Sequence, residues 1–175
     1  MEKPPIEPDM SAAIEVIRHV GAWMRDSGIA NYSDWWDPDK VSPEMLAAYA
    51  KPEEFYVVKV EGQPAAAVII QREQSLQDWS SIDKDTEAPS ATYIHYVAVE
   101  REFAGRGLVG IIMDKADEIA KQQGTSVLRL DTNADEPKLC AIYERLGFNL
   151  VGTLEEEGHN TAFYEKPVIY SEMTN

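Results

Sequence analysis

One segment limits the fold of this chain more than any other. Val97-Ala98-Val99 closes an apolar, β-branched run; Glu100 to Ala104 follow; then come Gly105, Gly107 and Gly110, with helical apolar spacing starting at Leu108. A strand that passes through a glycine turn into a helix demands a sheet with at least one helix on its face. The first backbone N–H groups of such a helix have no intrahelical acceptor, and the helix dipole adds to their pull on an anion. Glycines let a phosphate come close to the backbone, and Arg101 and Arg106 bring local positive charge. The plain alternative is a βα turn with no ligand.

The rest of the sequence fills out a mixed architecture. Pro4, Pro5 and Pro8 predict a loose or edge segment over the first ten residues. Ile14, Ile17, Val20 and Met24 predict a helix over 11–27, stopped by Gly28. An aromatic loop over 31–39 leads to Ser42-Pro43-Glu44, a helix start with its cap, proline and acid in order, and that short helix ends near Pro52. Strands are predicted at 55–60 and 65–70 as a hairpin, then at 93–99, 127–132, 148–154 and 161–166. Helices are predicted at 107–123 and 137–146, and 71–90 reads as a polar loop with Trp79 its one large apolar residue. The fold class is therefore α/β, an α+β mixed sheet of about six to seven strands flanked by about four helices. A length of 175 residues fits one domain, 1–175.

Charge and composition narrow the partners. Sixteen Lys and Arg against 31 Asp and Glu leave −15. That balance repels nucleic acid and anionic membranes and favours a cationic partner, unless it serves solubility alone. The single cysteine, Cys140, excludes an internal disulfide and a paired-cysteine metal or redox site, and reads as a packing residue. No apolar run approaches membrane-spanning length, and Met1 to Pro5 lack a signal-peptide core, so a cytoplasmic location is expected. His19 and His159 lack the context of a metal site, so no metal is expected. Gly105, Gly107 and Gly110 also spell the dinucleotide fingerprint, with Asp131 downstream. Five residues separating Val99 from Gly105, and the lack of further parallel βα units, argue against a Rossmann NAD(P) oxidoreductase.

Two motifs together resemble the GNAT superfamily of acyl-CoA N-acyltransferases. Tyr96-Val97-Ala98-Val99 with Ala104-Gly105-Arg106-Gly107-Leu108-Val109 is similar to its motif A, R/Q-x-x-G-x-G/A. Leu130-Asp131-Thr132-Asn133 followed by Ala141-Ile142-Tyr143-Glu144-Arg145-Leu146-Gly147-Phe148 is similar to motif B. The similarity covers Phe55 to Lys166. Ala104, Val109 and Glu136 depart from the residues usual at their positions.

The resemblance implies the GNAT fold and acetyl-CoA as co-substrate. It implies cofactor contacts from Val97, Ala98, Val99, Ala104, Gly105, Arg106, Gly107, Leu108, Val109, Gly110, Asn133, Lys138 and Tyr143, with Val97 and Val99 pairing to pantetheine as an added strand would. Tyr143 would protonate the departing thiolate, since a phenol is protonated at neutral pH; it also sits on an apolar helix stripe, and packing there is compatible with that role. Strand alternation puts Tyr93, His95, Val97 and Val99 on one face. His95 is thus a candidate base, as some family members use at this place, or else a hydrogen-bonded core histidine. Trp35, Trp36, Trp79 and Tyr93, with Tyr32, are candidates to line the acceptor pocket, and Glu155-Glu156-Glu157 is either a cation attractor or a solvated run. The expected acceptor is a primary amine of a small molecule or peptide, and the resemblance leaves room for a homodimer. The rival class is a non-catalytic acyl-CoA sensor that keeps the glycine turn without the chemistry.

Overall fold

The computed structural model describes residues 2–29, 34–73, 78–156 and 158–171. It is a mixed α/β structure whose elements run β1 (Ile6–Pro8), α1 (Met10–Asp26), α2 (Pro43–Ala48), β2 (Phe55–Val60), β3 (Gln63–Gln71), α3 (Ser80–Asp83), β4 (Ala91–Val99), α4 (Leu108–Gln123), β5 (Val127–Asn133), α5 (Pro137–Arg145), β6 (Asn149–Glu156) and β7 (His159–Pro167). The seven strands are ordered β1-β2-β3-β4-β5-β7-β6 in one sheet. Short 3-10 turns occupy 34–36, 52–54 and 101–103. By its internal contacts the chain forms two compact units, Met1–Gln71 with Ile94–Lys115, and Arg72–Tyr93 with Ala116–Asn175.

The first unit is an antiparallel run, β1 on β2 and β2 on β3, under helix α1. The proline-rich start is an edge strand, with Ile6 opposite Val58 and Pro8 opposite Tyr56. Proline is tolerated there because an edge strand leaves one row of backbone groups unpaired. Ala65 to Gln71 are all buried, which is why β3 reads as a continuous apolar run and not as an alternation. Asp9 caps α1, accepting from Ala12 N at 3.1 Å, and Ala13, Ile14, Val16, Ile17 and Val20 form its buried face. Ser42 caps α2 as the sequence predicts, its hydroxyl accepting from Met45 N at 3.1 Å.

The second unit pairs β5 and β6 on either side of β7, all antiparallel. Consecutive strand residues face opposite ways. Phe163 accordingly packs on Trp79 at 4.9 Å, and Tyr164 faces Tyr143 at 6.4 Å. The polar loop expected over 71–90 contains the short helix α3, and Trp79 before it is fully buried with Ala91, Tyr93 and Phe163. The cause is Arg129, 1% exposed, whose guanidinium lies 4.3 Å over the Trp79 ring and binds Asp83 of α3 at 2.6 and 2.8 Å and Glu165 of β7 at 2.8 Å. A buried charge needs such partners, and here they hold α3 down. Among the described residues five helices stand where about four are predicted, and α3 is the addition.

Candidate active site

The glycine turn is built as the sequence implies. After β4 the chain makes the 3-10 turn Arg101–Phe103, and α4 starts at Leu108, one residue later than predicted. Gly105 and Gly107 have φ of 79° and 74°, a left-handed pair that side chains rarely adopt. A Cβ at Gly105, Gly107 or Gly110 would meet nothing within 4 Å, so these residues border open space. Among the described residues, nothing accepts the backbone N–H groups of Gly105, Arg106, Gly107, Leu108 and Val109, while Gly110 N bonds Gly107 O at 3.1 Å. Five consecutive donors without an acceptor among the described residues, beside glycines whose Cβ positions are open, fit the oxygens of a diphosphate, each bond to a charged oxygen being worth about 1.5–3 kcal/mol. Arg106 is exposed, 5.1 Å from the Phe103 ring. The guanidinium of Arg101 is stacked on Trp23 of α1 at 4.1 Å. Glu100 bonds His19 at 2.7 Å.

In β4 the expected alternation fails at Tyr96. Its φ is 52°, left-handed inside a strand. A residue in that conformation breaks the two-residue period, so Val97 and Val99 do not simply continue the face of His95. The strain, of order 1–3 kcal/mol, is held by packing within the first unit. The Tyr96 ring lies 5.0 Å from Trp36 and stacks on Tyr49 at 6.3 Å, and its hydroxyl donates to Trp35 O at 3.2 Å. His95 is 8% exposed, and burial lowers its pKa from the usual 6.5 to about 4. The imidazole is therefore neutral at physiological pH and a weaker base than the sequence suggests.

Within the second unit, Tyr143 of α5 is buried, with Phe148 at 6.2 Å and Tyr164 at 6.4 Å. Burial, and secondarily the Asp131 carboxylate, hold its pKa well above the ordinary phenol value. Asp131 is pushed up to about 6 by burial, with Glu156 adding to it. Asn133 accepts from Asp135 N at 2.9 Å, closing the turn before α5, and Lys138 on its first turn is exposed. Cys140 is half-buried, its thiol directed at Asn133 O at 3.6 Å. His159 bonds Glu156 at 2.9 Å on the β6-β7 hairpin.

The four expected acceptor residues divide into two pairs. Trp35 and Trp36 stand on the 34–36 turn of the first unit, Trp35 48% exposed. Trp79 and Tyr93 belong to the core of the second unit, at 0% and 7% exposure, so their role is packing. Tyr32 and Glu157 lie outside the described residues. Sequence reasoning passed over Tyr49 and Arg129. A lone arginine in the apolar run Val127-Leu128-Arg129-Leu130 was the available signal for the second.

The profile of the Acetyltransferase (GNAT) family matches residues 15–148. The uncharacterized N-acetyltransferase YesJ of Bacillus subtilis (strain 168) is 26% identical over 149 residues, 85% of this chain and 81% of its own. Among solved structures, a GNAT-family acetyltransferase from Listeria monocytogenes superposes with a TM-score of 0.72 at 21% identity over 94% of both chains. The NatC complex bound to Gag peptide and CoA gives 0.64 at 14% identity, covering 96% of this chain and 100% of the matched chain. No helix among the described residues is long and apolar enough to cross a membrane. The profile runs through the glycine turn and Tyr143 to Phe148, and the chain belongs to the GNAT acetyltransferase family.

Proposed function

We propose that this protein transfers an acetyl group from acetyl-CoA to a primary amine of a small molecule or peptide. The observation that carries the reading is the row of five unaccepted amides, Gly105 to Val109, beside open space. The CoA bound in the NatC structure supports the same cofactor class. The family profile runs through both units, which supports one catalytic domain over 1–175.

When bound, acetyl-CoA supplies an activated acetyl thioester. The amides of Gly105 to Val109, with Arg106 beside them, hold the diphosphate; the backbone of Val97, Ala98 and Val99 orients the pantetheine arm; Asn133 and Lys138 complete the cofactor set. Ala104 contributes through its backbone alone, lacking the charge usual there. Tyr143 donates to the departing sulfur, and its raised pKa keeps the phenol protonated throughout the physiological range. The amine must lose a proton from a group of pKa ~10.4. With a pKa of about 4, His95 serves as a hydrogen-bond acceptor that passes this proton to water and does not store it.

Calorimetry with CoA, with NAD as the control, tests the cofactor. Thiol release across an amine panel tests transfer. CoA should bind and NAD should not, and Tyr143→Phe should slow turnover by about 10²-fold, the scale of general-acid catalysis, with little change in CoA affinity. Turnover unchanged in that variant removes Tyr143 from the mechanism. The departures at Ala104 and Glu136 favour one rival, a non-catalytic acyl-CoA sensor, and tight CoA binding without transfer to any amine would select it.

A further inference from the structure

Four aromatic rings of the first unit form a continuous row. Trp35 lies 5.1 Å from Tyr49 at 47°, Tyr49 stacks on Tyr96 at 6.3 Å and 9°, and Tyr96 meets Trp36 at 5.0 Å. The row passes through Tyr96 of β4, one residue before Val97, and its two ends are Trp36 and Trp35 of the 34–36 turn, Trp35 being 48% exposed. Its supporting segment is tightly held. A Cβ at Gly21 of α1 would overlap the Trp36 carbonyl oxygen, so the turn seats against bare helix backbone. Arg25 of α1 binds Asp37 at 3.2 Å and Asp39 at 2.7 Å, and Arg18 donates to Val41 O. The backbone is pinned while the outermost indole is left in water, which is the arrangement of a surface kept for a ligand and not of a core.

We infer that this aromatic row takes a second, non-reacting ammonium group of the acceptor, so that the substrates are organic di- or polyamines. This rests on the acetyl-transfer reading above. Aromatic faces carry negative quadrupole density and attract organic cations, and the net charge of −15 draws such cations in. An ammonium held on an aromatic face keeps its proton and cannot attack a thioester. The nucleophile is therefore a different amine on the same molecule, joined by a spacer.

Choline and its neutral carbon isostere 3,3-dimethylbutan-1-ol share a shape and differ in charge, so calorimetry with the pair isolates the electrostatic part. Choline should bind about tenfold more tightly, and Trp35→Leu should abolish the preference while CoA affinity stays unchanged. Likewise 1,4-diaminobutane should exceed n-butylamine in kcat/KM by about tenfold, and by little in Trp35→Leu. Tyr49→Leu, at the middle of the row, gives the same readout if Trp35→Leu folds poorly. Equal binding of choline and the isostere, or a preference that survives both variants, overturns the inference while CoA binding leaves acetyl transfer standing. Absence of CoA binding to the wild type overturns the transfer reading, and the acceptor assignment with it.

Discussion

The two units of this protein treat their polar groups in opposite ways. In the first, five backbone amides at Gly105 to Val109 have no acceptor among the described residues, and an indole stands half in water on a pinned turn. In the second, the strongest charges turn inward and meet one another: Arg129 is sealed between Asp83, Glu165 and the Trp79 ring. Ordered polar groups without an internal partner are open to a ligand. Ordered polar groups that satisfy each other hold structure together. Trp35 and Trp79, two tryptophans that a sequence cannot tell apart, differ in exposure, at 48% and 0%.

The largest effect that would break this contrast belongs to Arg129. Removing one member of a buried ion cluster strands the others, at about 3–5 kcal/mol. Arg129→Ala leaves two carboxylates, with side chains 15% and 22% exposed, facing an apolar ring. Urea denaturation should show a loss near the lower end of that range. A loss below ~1 kcal/mol would mean that water replaces the guanidinium freely, and the second unit would be no more closed than the first.

Acid titration sharpens the contrast further, because the two units carry opposite slopes. His95 in the first unit has its pKa lowered to about 4 by burial. The unfolded chain takes up that proton below ~6.5, so the His95 contribution is complete above 6.5 and is lost as pH falls toward 4. Asp131 in the second unit is raised from 3.8 to about 6. Its folded form protonates first, so its contribution grows as pH falls from 6 to about 4 and is lost on the way up. At about 1.4 kcal/mol per pH unit each is worth about 3 kcal/mol, and the two offset. His95→Gln should leave a protein that gains stability on acidification relative to wild type, and Asp131→Asn one that loses it. Denaturation midpoints between pH 7 and 4 decide this, and parallel curves for the two variants would refute both assignments.

What the sequence revealed follows the range of the interactions involved. Local rules place the helix cap at Ser42, the helix stop at Gly28, the hairpin, and the glycine turn, because each depends on a few neighbouring residues. The polar stretch before β4 reads as a loop in sequence because α3 is held by Arg129, 46 residues from Asp83, and no local pattern carries that pairing. Tyr96 escaped for a related reason. Its left-handed backbone is sustained by Trp36 and Tyr49, far away in sequence, so strict alternation was the natural and mistaken expectation. Proximity along the chain puts Arg101 beside the glycine turn, and its stacking on Trp23, 78 positions away, is not legible from that neighbourhood.

The smallest effect bears most directly on why the first unit is left open. Gly107 sits at φ 74° with free space where a Cβ would go, so Gly107→Ala meets no clash and costs only the left-handed backbone, about 1–2 kcal/mol. Gly110 differs: it lies in the first turn of α4 with ordinary helical φ and the same free space. There alanine is the better helix former, and Gly110→Ala should stabilise the fold by about 0.5–1 kcal/mol. A glycine that makes the folded protein less stable than alanine would is explained by close approach of a ligand to the backbone. Gly110→Ala should therefore raise the melting temperature while weakening CoA binding. If stability rises and CoA affinity holds, nothing passes close to that helix end, and the open amides of the first unit would need another explanation.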